Sequence, residues 1–249
     1  NERILYYKML QYFAFSQWLG LKKYAFDNGI SIIGDMPIYV AGDSADVWAN
    51  REIFKLDSNL EASDLAGCPP DYFSPDGQLW GNPVYDWRKL KKEKYAWWIE
   101  RLNHSFKIYD IVRIDHFRGF ESYYSIKAGS KTARKGAWRK GGGKSFFDAL
   151  PKEFNDRIIA ENLGFLTDEV DKLLEYTGFP GMKVLQFSFD SRDENSKTLP
   201  DDIKKNNVVY TGTHDNDTIL GWSQNTDKKD VAYAMRYLNA LNKYDLIDK

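Results

Sequence analysis

Apolar positions along this chain fall into two alternating rhythms. One is helical. Residues 1–28 read as an amphipathic helix ended by Asn28-Gly29, a favourable C-terminal pair. Asp86 caps a second helix, in which Tyr95, Trp98, Ile99, Leu102 and Phe106 recur at helical spacing and read as core. A short helical stretch at 145–150 is stopped by Pro151. Thr167, Asp168 and Glu169 open a further helix with a cap and first-turn acids, and Gly178 and Pro180 close it. Val231, Met235, Leu238 and Leu241 mark the last. The other rhythm is the short apolar run of strand length, at 31–36, 111–114, 157–160, 182–187 and 207–210. Strand, helix and strand in repeated order predict an α/β fold with a parallel sheet and right-handed crossovers.

Three stretches follow neither rhythm. Residues 41–66 read as loop and short helix. Cys68 to Trp87 holds four prolines, two glycines and five aromatics and reads as one long loop. A loop of that length inside a domain is usually functional, here as a stiff lid or as an Ω-loop packed by its own rings. Residues 127–145 are basic and glycine-rich and read as a mobile rim loop. Its Gly143-Lys144-Ser145 suggests a phosphate loop. That motif needs a glycine at 138, where Trp138 stands, and a preceding strand, which the pattern does not supply.

The strand at 111–114 carries the chemistry. Alternation puts Val112 and Ile114 on an apolar face, and Ile111, Arg113 and Asp115 on the other. A cation and a carboxylate sharing a half-buried face are costly unless they serve each other. Arg113 then keeps Asp115 ionised, as a nucleophile at a strand's carboxyl end requires. The same pair also reads as a structural ion pair closing a barrel.

Composition narrows the classes. The 249 residues are 43% hydrophobic and 29% charged with a net charge of −1, which is globular and lacks the basic face that nucleic acid needs. No apolar run reaches membrane-spanning length. The single cysteine, Cys68, excludes an internal disulfide framework and fits a reducing cytoplasm. Abundant Trp and Tyr suit a cleft that stacks on sugar rings.

Three predicted strands end in an acid: Asp115, Glu161 and Asp215. In a (β/α)₈ barrel all carboxyl ends open on one face, where the three converge. Two close carboxyls give retaining glycosidic chemistry, one as nucleophile and the other as acid, then base. The acid role falls to Glu161, because its inward neighbour two residues before is the apolar Ile159, where Asp115 has Arg113. A metal site built from Asp115-His116, Glu161 and His214-Asp215 is the competing reading. With three histidines in all and no His-x-x-x-His or cysteine pair, it is the weaker one. No metal and no cofactor are expected.

At these residues the chain resembles the 4-α-glucanotransferases, or amylomaltases, relatives of the α-amylases. The carriers are GDMPIYV (34–40), PPDYFSPDGQLWGNPVYDW (69–87), VRIDHFRGF (112–120), IIAENLG (158–164) and TGTHDND (211–217). The resemblance implies Asp115 as nucleophile, Glu161 as acid/base and Asp215 as the acid that holds sugar hydroxyls. It implies substrate-binding roles for Asp35, Tyr39, Asp71, Gln78, Trp80, Arg113, His116 and His214. The implied reaction moves an α-1,4-glucan segment to the 4-hydroxyl of another glucan. Acceptor sugar must then outcompete water, and the aromatic loop at 72–87 and the Trp138 loop are candidates for arranging this. An α-glucan hydrolase with the same acids is the alternative; a non-catalytic glucan-binding fragment is another. One departure is Gly141-Gly142-Gly143, where the family usually has Gly-Pro-Gly; a looser segment is expected there.

The resemblance also numbers the strands. The nucleophile, acid and third acid end strands four, five and seven, so the chain spans strands three to seven of a TIM barrel. Residues 1–249 are then one catalytic barrel segment with inserted loops at about 41–86 and 127–145. Strands one, two and eight are lacking, and both ends read as interior helix. The expectation is a fragment of a protein about twice as long, with the remainder of the barrel as its partner.

Overall fold

The structure, a computed structural model, describes residues 1–71, 74–164, 166–192 and 199–249. It separates into two units, Asn1–Phe179 and Pro180–Lys249.

The first unit opens with α1 (Glu2–Asp27) and β1 (Ile33–Met36). A short α2 (Ala45–Ala49) precedes β2 (Asp64–Cys68) and β3 (Gln78–Pro83). Then come α3 (Trp87–Lys92), α4 (Ala96–Ile108), β4 (Ile111–Ile114), α5 (Arg118–Glu121), β5 (Ser122–Lys127) and β6 (Gly136–Lys140). The unit closes with α6 (Gly143–Phe147), β7 (Ile158–Ala160) and α7 (Asp168–Thr177). In the second unit are β8 (Gly181–Val184), β9 (Asn207–Tyr210), α8 (Ile219–Asn225) and α9 (Lys228–Tyr237).

Three of the expected strands form one parallel sheet in the order β1-β4-β7. Asp35 pairs with Arg113, and Arg113 with Ile159. Val112 and Ile114 are wholly buried against a core that includes Trp98, Leu102, Phe117, Phe120 and Phe146. The remaining two expected strands, β8 and β9, pair in parallel in the second unit. There Phe189, Ala234 and Leu246 form a small core flanked by Trp222, Tyr233 and Tyr237. The last helix ends earlier than its apolar pattern suggests, leaving Leu241 87% exposed beyond it.

The segments read as loops supply three strands of a second sheet. β3-β2-β5-β6 is antiparallel and four-stranded. It takes in the end of the 41–66 stretch, Cys68 and Gln78–Pro83 of the Cys68–Trp87 stretch, and the middle of 127–145. Its pairing requires Gly67, where a Cβ would lie 2.0 Å from the Gln78 carbonyl oxygen. β6 is thus a strand ahead of Gly143, contrary to the sequence reading. It is an antiparallel hairpin arm with Trp138 at the glycine position, so the phosphate-loop reading gains nothing. Two of the three glycines expected to be loose, Gly141 and Gly142, are packed, while Gly143 has open space around it at φ +54°. Gly141 N–H donates to the Glu121 carbonyl at 2.9 Å, and a Cβ on Gly142 would meet the Trp87 ring at 2.9 Å.

The helix begun at Asp86 is two helices. Asp86 does cap α3, accepting from the Arg88 and Lys89 amides. Lys94 and Tyr95 then take positive φ, and Tyr95 N–H bonds the Leu90 carbonyl at 2.7 Å before α4 starts. α1 ends in a Schellman motif: Gly29 at φ +71° donates to Phe26 and Ile30 donates to Ala25, each at 2.9 Å. Trp18 Nε1 donates to the Ile108 carbonyl at 2.8 Å and Lys22 pairs with Asp110 at 3.3 Å. The expected amphipathic division is absent. Tyr6, Leu10, Phe13, Leu21, Tyr24 and Phe26 are all exposed, and Ala25 is the helix's one buried residue among those described.

Gly34 shows how closely α4 and β1 meet. A Cβ there would sit 2.1 Å from the Tyr109 ring, which Trp18 already holds edge-on at 5.8 Å. Gly34→Ala is expected to destabilise the full-length protein by about 1–3 kcal/mol, the usual cost of overpacking. A urea midpoint unchanged from the parent's would show that Tyr109 moves aside freely.

Candidate active site

The register of the parallel sheet builds the site. Ile114 pairs with Ala160, so Asp115 and Glu161 leave neighbouring strands at the same level and on the same face. The ladder continues past both. Glu161 N–H donates to the Ile114 carbonyl, and Phe117 N–H to the Glu161 carbonyl, both at 3.0 Å. Adjacent parallel strands lie about 4.8 Å apart, so the two side chains start as near neighbours.

Arg113 sits two residues before Asp115 on that face. Its Nη1 contacts Asp35 Oδ1 at 2.6 Å and Asp115 Oδ1 at 3.0 Å. One guanidinium therefore joins the first strand's acid to the second's. Burial works against its charge, but the bond and charge of Asp35 and then the charges of Asp115 and Glu161 raise its pKa overall.

Glu161 is 8% exposed. Burial is the largest influence on its carboxyl and raises its pKa. Two main-chain donors oppose that: Leu163 N–H to Oε1 at 2.6 Å and His116 N–H to Oε2 at 2.7 Å. The neighbouring charge of Asp115 pushes the pKa up and that of Arg113 pulls it down; the net direction is up.

His116 occupies the turn between β4 and α5 with φ +53°, a left-handed backbone on a residue with a Cβ. Its ring meets Trp80 edge-on at 4.9 Å and Tyr39 at 6.5 Å. Nε2 is buried with no hydrogen-bond partner among the described residues. Burial first, then the charge of Arg118, lowers the imidazole pKa to about 4, so it is neutral above that pH. Tyr39 is buried and stacks on Tyr85 at 5.9 Å, and burial raises its phenol pKa well above the ordinary value.

Trp80 and Gln78 come from β3, and Trp80 Nε1 donates to Gln78 Oε1 at 3.0 Å. Asp71 is exposed and accepts from Ser74 N–H at 2.7 Å. Tyr72 and Phe73, part of the aromatic stretch expected over the cleft, lie outside the described residues. Trp138 is no open platform: the Arg118 guanidinium lies 3.8 Å over its ring and Tyr124 meets its edge at 5.2 Å.

Asp35, Tyr39, Trp80, Arg113, Asp115, His116 and Glu161 thus gather in the first unit. His214 and Asp215 belong to the second, where Nε2 and Oδ2 are 3.3 Å apart and both side chains are largely exposed. No three His, Cys, Asp or Glu among the described residues are arranged to hold a metal ion. What residue types did not reveal is the pair of main-chain donors on Glu161, since any residue carries an N–H.

Comparison with known proteins gives the same assignment along the whole chain. The family model described as 4-alpha-glucanotransferase matches residues 1–248. A 4-alpha-glucanotransferase of Streptococcus pneumoniae serotype 4 is 59% identical over 240 residues, 96% of this chain and 47% of that protein. One from Clostridium butyricum is 52% identical over 232 residues, 92% of this chain and 47% of that protein. The solved amylomaltase from Streptococcus agalactiae in complex with acarbose superimposes with a TM-score of 0.90 at 46% identity, covering 95% of this chain and 48% of its own. The chain spans about half the length of the curated relatives it matches. It belongs to the 4-alpha-glucanotransferase family.

Proposed function

We propose that the protein of which these residues form the catalytic part is a 4-α-glucanotransferase acting on α-1,4-glucans by retaining double displacement. The observation that carries this is the pairing of Asp115, held by Arg113 at 3.0 Å, with the buried Glu161 on the next parallel strand. Asp115 attacks the anomeric carbon of the donor sugar as the glycosidic C–O bond breaks. Glu161, protonated, gives its proton to the departing oxygen. In the second step Glu161 takes the proton of the acceptor's 4-hydroxyl, whose oxygen displaces Asp115. A carboxyl whose pKa is raised by burial suits that acid role.

Asp215 and His214 hold hydroxyls of the donor sugar in this reading, and Asp35, Tyr39, Asp71, Gln78, Trp80, Arg113 and His116 line the glucan path. The parallel strands are the third to seventh of a TIM barrel, in one catalytic segment that the remainder of the chain completes. The protein works in the cytoplasm. In support, the one cysteine, Cys68, is a free thiol, which suits a reducing compartment.

Glu161→Gln in the full-length protein tests the acid. Transfer from maltotriose is expected to fall by about 10²–10⁴-fold, because its leaving group needs a proton. Reaction of a glycosyl fluoride through the first step should fall far less. Equal losses on both substrates would remove Glu161 from the acid role.

A further inference from the structure

We infer that His116 is a positioning residue for Glu161: its left-handed backbone aims its N–H at Oε2 and holds the carboxyl toward Asp115. The inference rests on the proposed acid role of Glu161 and adds what sets its geometry.

Three observations converge on His116. First, a strand that ends at Ile114 must turn at once for α5 to begin at Arg118. A positive φ at His116 makes that turn, and it directs the following Phe117 N–H to the Glu161 carbonyl at 3.0 Å. Second, the His116 N–H takes Oε2 at 2.7 Å while Leu163 takes Oε1 at 2.6 Å. Each carboxyl oxygen thus spends one lone pair on a fixed donor and keeps one for the proton it transfers. Third, the ring is wedged between Trp80 and Tyr39 with its Nε2 buried, so the side chain pins the turn. Single residues other than glycine visit this conformation mostly as Asn, Asp or His, whereas a β-branched residue there is a true outlier.

A test on residue 116 must therefore separate backbone from imidazole. In the full-length protein, His116→Asn and His116→Val both remove the ring, but only Asn tolerates the left-handed turn. Each variant is assayed for maltotriose transfer, for first-step reaction of a glycosyl fluoride and for the pH profile of transfer. His116→Asn is expected to lower both activities together, leaving their ratio near the parent's. His116→Val is expected to lower maltotriose transfer by a further factor on the order of 10² relative to the fluoride, the cost of a misplaced catalytic group.

The alkaline limb supplies the second readout. Glu161 must be protonated for the first step, and an N–H on its oxygen favours the ionised form. Losing the His116 donor moves the limb to higher pH. The other groups facing Glu161 are Asp115 and Arg113 from β4 and the Cys68 thiol at the end of β2, and all are unchanged in both variants. If His116→Val does not fold, His116→Ala, with a smaller left-handed penalty, is read the same way. Equal substrate ratios and equal alkaline limbs in the Asn variant and its Val or Ala counterpart overturn the inference. The Glu161→Gln control tells the two failures apart. If it too shows no difference between substrates, the acid assignment falls; if it does show one, only the role of His116 falls.

Discussion

Asp115→Asn in the full-length protein is expected to lower glucan transfer by on the order of 10⁴–10⁶-fold, the range seen when a catalytic nucleophile or its partner is removed. Glucan binding should be nearly unchanged. The substitution keeps volume and keeps an oxygen for Arg113, whose Nη1 meets Asp115 Oδ1 at 3.0 Å. Arg113 is in any case held from the other side by Asp35 at 2.6 Å, so the guanidinium stays in place. What is lost is the carboxylate that can bond to the anomeric carbon. A second effect has a definite sign. The charge of Asp115 raises the Glu161 pKa, so removing it lets Glu161 ionise more readily. Residual activity should therefore fade at a lower alkaline pH than in the parent. Product profiles from maltotriose and calorimetric titration with a maltooligosaccharide give the two readouts. Near-normal turnover would mean that another group attacks the sugar.

The placement of Arg113, Asp115 and Glu161 in the first unit was legible in the sequence because it rides on a simple geometry. Three apolar residues around Arg113, Ile111, Val112 and Ile114, make a strand, period-two alternation puts Arg113 and Asp115 on one face, and the same logic applies at 158–160. The structure keeps the alternation in β4, buries every residue of β7 and adds the register that joins them, Arg113 against Ile159. The antiparallel sheet was not legible for the converse reason. β2 and β3 contain Gly67, Gly81 and Pro83, which as local signals mark turns, and their strand character comes from partners distant in sequence. β5, SYYSIK, has five buried residues and thus no polar face to alternate.

Left-handed backbone is equally silent in residue type. Tyr95 continues a helical apolar pattern yet sits at φ +58°, breaking one expected helix into two. His116 reads from its side chain as a ligand or sugar contact, while its main-chain N–H is what touches Glu161. α1 shows the limit of periodicity itself. Apolar residues occupy every side of that helix, so the rhythm identifies a helix and leaves open which face is covered.

Removing the shared cation should also be damaging, though less so than replacing Asp115. Arg113→Met is expected to lower transfer by at least about 10²-fold, the scale of losing one preorganised electrostatic partner. It should also lower stability by about 1–3 kcal/mol, less than for a fully buried pair because Asp35 and Asp115 are 47% and 42% exposed. Arg113 meets Asp35 and Asp115 through one nitrogen and also acts on Glu161 by charge. Methionine fills similar space along the strand but leaves three carboxyl groups on one face of three neighbouring strands with no cation between them. The effect on Glu161 again has a sign. Arg113 lowers its pKa, so Arg113→Met raises it further and moves the alkaline limb of the residual activity to higher pH, opposite to Asp115→Asn. Arg113→Lys should fall between, because a compact ammonium restores charge without the planar fork. The three variants are compared by maltotriose kinetics across pH and by urea unfolding. Limbs that move the same way in Arg113→Met and Asp115→Asn would show that charge on this face does not govern the protonation of Glu161.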